Sequence, residues 1–112
     1  MLTLKDFMPE VVPAGWYLVK EVSVGTTTLV LYKRERDQLN VSMSWEPRAD
    51  RPHLHMTFSK LRAQPTREEA VEAAGELLSG HWMKSFQMFG QVTNLHKFTV
   101  HARVYLAEAA SA

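Results

Sequence analysis

"LNVSMSWE", residues 39–46, alternates without a break: Leu39, Val41, Met43 and Trp45 take one side, and Asn40, Ser42, Ser44 and Glu46 the other. Successive side chains of an extended chain point to opposite faces, so this period of two makes the segment a strand with one apolar and one polar face. "HLHMTFS", residues 53–59, repeats the rule with Leu54, Met56 and Phe58 against His53, His55, Thr57 and Ser59. Pro47 and Pro52 bracket the connection between the two, as expected of a residue that cannot donate to a strand ladder. Two neighbouring strands with matched apolar faces predict a sheet that is covered on one side only.

The pattern extends in both directions. Upstream, WYLVKEVSV (16–24) and TTTLVLYKR (26–34) are rich in β-branched and aromatic residues and meet at Gly25, which predicts a hairpin. The charged run Lys33 to Asp37 makes the next turn, and residues 1–14, punctuated by Pro9 and Pro13, read as an irregular lead. At the other end, KFTVHARVYL (97–106) sets Phe98, Val100, Ala102, Val104 and Leu106 against Thr99, His101, Arg103 and Tyr105. The tail, residues 107–112, is expected to fray.

Between these strands lies QPTREEAVEAAGELLSG (64–80). Thr66 with Glu69 three residues on forms a capping box, and Gly80 is a natural C-terminal stop. Ala70, Val71, Ala74, Leu77 and Leu78 share one stripe, which should cover the apolar face of the sheet while Glu68, Glu72 and Glu76 face water. Trp82, Phe86 and Phe89 at i, i+4 and i+7, followed by Gly90, predict a short second helix. The expected architecture is therefore α+β, in the order β-β-β-β-α-(α)-β. It has a mostly antiparallel sheet of four to five strands, with a main helix over about residues 67–79 and the short second helix packed on one face.

A chain of 112 residues fits a single domain and should bury roughly two-thirds of its unfolded surface. No cysteine is present, so thiolate chemistry, disulfides and cysteine zinc sites are excluded. No apolar stretch approaches the length of a membrane span, and the N-terminus lacks a basic segment followed by an apolar run, so a cytoplasmic protein without a membrane partner is expected. The net charge is +1. A mildly basic loop region carrying Arg48, Arg51, Lys60, Arg62 and Arg67 precedes the acidic helix.

Candidate site residues follow from the polar face: Ser42, Ser44, His53, His55, Thr57, His101, Arg103 and Tyr105. If the last strand pairs beside the fourth, three histidines and a guanidinium come within side-chain reach; if it pairs elsewhere, they do not. His53 and His55 have Cβ atoms roughly 6.5–7 Å apart by the strand rise, and Glu46 or His101 would complete a metal site. No metal or other cofactor is called for. Tyr17, Tyr32 and Tyr105 are candidate outward aromatics for a sheet that binds nucleic acid, although the glycine-aromatic signature of sheet-platform RNA binders is missing. There is no phosphate-binding glycine loop, dinucleotide fingerprint or HExxH.

From His55 onward, His55-Met56-Thr57-Phe58-Ser59, Gln64-Pro65-Thr66 with Glu68-Glu69, Leu77-Leu78-Ser79-Gly80, Phe86-Gln87-Met88-Phe89 and Thr93-Asn94-Leu95-His96, with His101 in the final strand, resemble a family of small uncharacterised phage and prophage proteins. The likeness covers the second half of the chain and implies a compact α+β fold of phage-associated origin, with no reaction attached. His55-Met56-Thr57 also looks like one half of the His-x-Thr/Ser motif of the two-histidine phosphodiesterases. That second resemblance implies His55 and His101 as acid and base, with Thr57 and Arg103 binding phosphate.

The expectation is thus a small binding protein, a phage or prophage accessory factor acting as a homodimer on a host or viral macromolecule, protein or nucleic acid. The alternative is a histidine-based phosphodiesterase or metal-dependent hydrolase on the polar face.

Overall fold

The computed structural model describes residues 3–25, 27–47, 50–78 and 83–106. They form strands β1 (Trp16–Val24), β2 (Thr27–Arg34), β3 (Asn40–Glu46), β4 (His53–Leu61), β5 (Met83–Asn94) and β6 (Lys97–Leu106), with the helix α1 (Arg67–Leu77) between β4 and β5. The strands make one antiparallel sheet in the order β1-β2-β3-β4-β6-β5. The fold is α+β, as the alternation and the capped helix predicted.

The strand count and the second helix differ from expectation: among the described residues the sheet has six strands rather than four to five, and the segment from Met83 onward, expected to be helical, belongs to β5. The spacing of Phe86 and Phe89 suits a helix, but Phe86 and Met88 also alternate with Ser85, Gln87 and Phe89. Pairing with β6 decides between the two periods, because it satisfies the backbone of a long segment at once. Gly90, read as a helix stop, has φ 66° and lies where the register shifts between Phe89 and Gln91. It marks a bulge, for which a residue without Cβ is suited. Trp82, the helix stop at Gly80 and the tail 107–112 lie outside the described residues.

One face of the sheet carries the core. Val30, Tyr32, Val41, Met43, Leu54, Met56, Phe58, Val100, Ala102 and Val104 are buried there against Ala70, Ala73, Ala74, Leu77 and Leu78 of the helix and its C-terminal cap. Tyr32 is therefore a core residue and not an outward aromatic. The helix ends at Leu77, two residues short of the expected limit. It begins as predicted: Thr66 Oγ1 accepts from the Glu69 amide and the Glu69 carboxylate accepts from the Thr66 amide, each at 3.1 Å. Ala70, Ala73 and Ala74 on its inner face are fully buried against the sheet. The lead is not loose, since Leu4 and Phe7 are buried and Phe7 packs on Trp45 with ring centroids 4.8 Å apart.

The acidic face of the helix is only partly solvated. Arg34, 2% exposed, donates to Glu72 at 3.1 Å, to Glu76 at 2.8 Å and through two nitrogens to Asp37 at 2.7 and 3.0 Å. Trp16 stacks on the same guanidinium and donates its indole N–H to Glu76 at 3.1 Å. This ionic cluster ties α1 to β1 and β2; among the described residues no helix covers the opposite face of the sheet.

Candidate functional site

The register builds the open face row by row. Leu29, Ser44, His55, Arg103 and Gln87 lie side by side from β2 to β5, and Lys20, Leu31, Ser42, Thr57, His101 and Phe89 form the next row, beginning on β1. The face thus grades from apolar at Val22, Leu29 and Leu31, through hydroxyls at Ser42, Ser44 and Thr57, to charged and aromatic groups on β4, β6 and β5. All eight site residues expected from the sequence lie on this face, because β6 pairs beside β4 with His55 opposite Arg103 and Thr57 opposite His101.

They do not all converge on one point. His53, His55, Arg103 and Tyr105, together with Glu46, Asp50, Arg51 and Phe89, line an open cavity of about 600 Å³. His101 stands diagonally beside His55, its Nδ1 3.0 Å from His55 Nε2. Ser42 and Thr57 hydrogen-bond to each other through their hydroxyls, and with Ser44 they lie outside the cavity lining. Thr57 is thus already engaged, which weakens its expected role as a phosphate ligand.

Aromatic rings organise the charges. The Arg51 guanidinium lies 3.9 Å from the centre of the Tyr105 ring, and that of Arg103 lies 4.6 Å from the centre of Phe89. Contact with an aromatic ring restrains a guanidinium while leaving its N–H groups free for an acceptor. Among the described residues neither guanidinium has a hydrogen bond or ion pair. His53 packs against Tyr105 with centroids 5.4 Å apart and donates from Nδ1 to the Arg51 carbonyl at 2.9 Å, which leaves Nε2 as the acceptor of the neutral ring. Phe89 leans over the histidine pair, its centroid 5.6 Å from His55 and 5.7 Å from His101.

Burial lowers the pKa of His55 below its ordinary value, and repulsion from a charged His101 adds to this, while the Glu46 carboxylate opposes it. Among the described residues no group of three or more His, Asp or Glu side chains is placed to hold a metal ion. A second, smaller cavity of about 250 Å³ lies beside Gly15, Arg34 and Glu76. Its guanidinium is already committed to the ionic cluster.

Three contributors are not among the site residues expected from the sequence: Phe89, whose spacing suits a helix, and the loop residues Asp50 and Arg51. The signals for Phe89 were its alternation with Met88 and Phe86 and the bulge-forming Gly90; for the loop residues, nothing in the spacing shows that the chain folds back over Tyr105. Compared with known protein families, with curated proteins and with solved structures, the chain has no match.

Proposed function

We propose that this is a small binding protein whose contact surface is the β4, β6 and β5 part of the open sheet face, and that the group it grips is anionic. The observation that carries this reading is the pair of guanidiniums, Arg51 over Tyr105 and Arg103 over Phe89, each set on an aromatic ring and without a carboxylate partner among the described residues. Preorganised arginines of this kind suit bidentate contact with phosphate or carboxylate. In keeping with the phage resemblance, the protein would act in the cytoplasm as an accessory factor, as a homodimer, on a host or viral macromolecule that presents such a group. The test is an amide NMR titration of the full chain with pyrophosphate. Shifts centred on His53, His55, Phe89 and Arg103 support the reading, and a spectrum unchanged there rejects it.

The convergence of His55, His101 and Arg103 favours one alternative, a histidine phosphodiesterase. Base and acid in that chemistry stand on either side of a phosphorus atom, whereas here the two imidazoles are bonded to each other at 3.0 Å. The ligand would have to part them. Turnover of a 2′,3′-cyclic nucleotide that is lost in both His55→Ala and His101→Ala, with the fold retained, would move the protein to this class.

A further inference from the structure

Resting on the anion-binding reading above, we infer that the ligand is a nucleotide, and specifically one whose base carries an exocyclic amine. The cavity is not uniformly basic. Glu46 and Asp50 line it together with Arg51 and Arg103, and among the described residues none of these four side chains has a hydrogen bond or ion pair. A bare phosphate answers the two arginines and is repelled by the two carboxylates. The complementary ligand carries negative acceptors at one end and hydrogen-bond donors at another.

The rings supply the third requirement. Phe89 is 38% exposed, and Arg51 and Arg103, each set over a ring, are exposed. An exposed ring of this kind suits stacking by a planar heterocycle, which tightens binding by about fivefold or more per base in single-strand binders. At about 600 Å³ the cavity falls within the roughly 300–1,000 Å³ typical of small-molecule sites. A nucleoside phosphate combines all three features: phosphate oxygens for the arginine N–H groups, a base for the exposed ring, and an amino group for Glu46 or Asp50. Adenine, cytosine and guanine offer that amino group, and uracil and thymine do not.

The same chemistry is presented by a free mononucleotide and by a nucleotide within a single strand, so the experiment separates the two. Full-length protein is titrated by calorimetry with AMP, CMP, UMP, ribose 5-phosphate and inorganic phosphate, and with a ten-residue oligoadenylate, while amide NMR maps the site. AMP and CMP are expected to bind at least about fivefold more tightly than ribose 5-phosphate, the lower end of the stacking range, with UMP weaker than either. Glu46→Gln and Asp50→Asn should narrow the gap between CMP and UMP, and Arg103→Met should weaken AMP by about tenfold or more. Oligoadenylate binding tighter than AMP at the same residues identifies a single strand as the source; equal affinity per nucleotide identifies the free nucleotide. Equal affinity for AMP, UMP and ribose 5-phosphate overturns the nucleotide assignment while leaving the anion site in place. No shift with any phosphate overturns both.

Discussion

His55 Nε2 and His101 Nδ1 stand 3.0 Å apart on neighbouring strands, a diagonal contact set by the pairing of His55 with Arg103 and of Thr57 with His101. One ring must donate an N–H and the other must accept, so the bond survives with the pair neutral or sharing one extra proton and breaks when both rings are charged. Arg103, Glu46 and His53 also act on His55 through their charges.

The first prediction concerns pH. With the folded pKa of His55 below its unfolded value near 6.5, the unfolded chain binds more protons than the folded one below that pH. The stability contribution of neutral His55 is therefore complete above about pH 6.5 and declines as pH falls through the folded pKa. Urea unfolding of the wild type between pH 7.5 and 5 should show this decline, and His55→Gln should flatten it. Parallel pH profiles for the two proteins would show that another group is responsible.

The ionic cluster at Arg34 yields a test of what holds the helix to the sheet. Removing one member of a buried charge network leaves the others uncompensated, at a cost of about 3–5 kcal/mol. Because Glu76 and Asp37 retain roughly a third of their exposure, the lower end, about 3 kcal/mol, is expected for Arg34→Ala. Arg36 reaches Glu72 and Glu76 from solvent with 59% of its side chain exposed, so Arg36→Ala should cost no more than about 1 kcal/mol. Equal losses for the two variants by chemical denaturation would refute the assignment of Arg34 as the clamp.

The turn between β5 and β6 is strained by its own sequence. Leu95 and His96 connect the strands in two residues, with φ of 47° and 69°. Left-handed backbone of this kind suits Asn-Gly and costs on the order of 1 kcal/mol or more for each ordinary residue. Leu95 is 87% exposed, so replacing it forfeits little burial, and the contact from the Arg62 amide to the His96 carbonyl at 2.8 Å uses only backbone atoms. The double substitution Leu95→Asn, His96→Gly should raise stability by about 1–2 kcal/mol. An unchanged or lower denaturation midpoint would mean that the side chains, and not the backbone, determine this turn.

Legibility in the sequence followed the strength of the local signal. β3 and β4 were readable because alternation is unbroken from Leu39 to Glu46 and from His53 to Ser59, and α1 because Thr66 and Glu69 mark its start. β5 was not, because Trp82, Phe86 and Phe89 satisfy a helical period as well as a strand permits, and the choice belongs to β6, a partner that follows it in the chain. The face of each site residue followed from parity. Their convergence did not, since it depends on β6 lying between β4 and β5, a long-range pairing without local expression. Glu72 and Glu76 illustrate the same limit: a polar helix face looks solvated until Arg34 arrives from β2.

Phe89 offers a final test, which connects packing to titration without requiring a known ligand. Its ring lies 5.6 Å from that of His55 and 5.7 Å from that of His101, so it takes part in shielding the pair from water. Burial is the main reason that the His55 pKa is lowered. Phe89→Ala opens the pair to solvent, restores hydration of the imidazolium and should raise the His55 pKa toward 6.5. Because Phe89 is 38% exposed on the open face, its removal should cost less than the roughly 3–5 kcal/mol expected of a buried phenylalanine. The imidazole proton resonances of His55, followed from pH 4.5 to 8, report the shift directly. If the midpoint in Phe89→Ala matches that of the wild type, Phe89 does not shield His55, and the burial comes from the strands themselves.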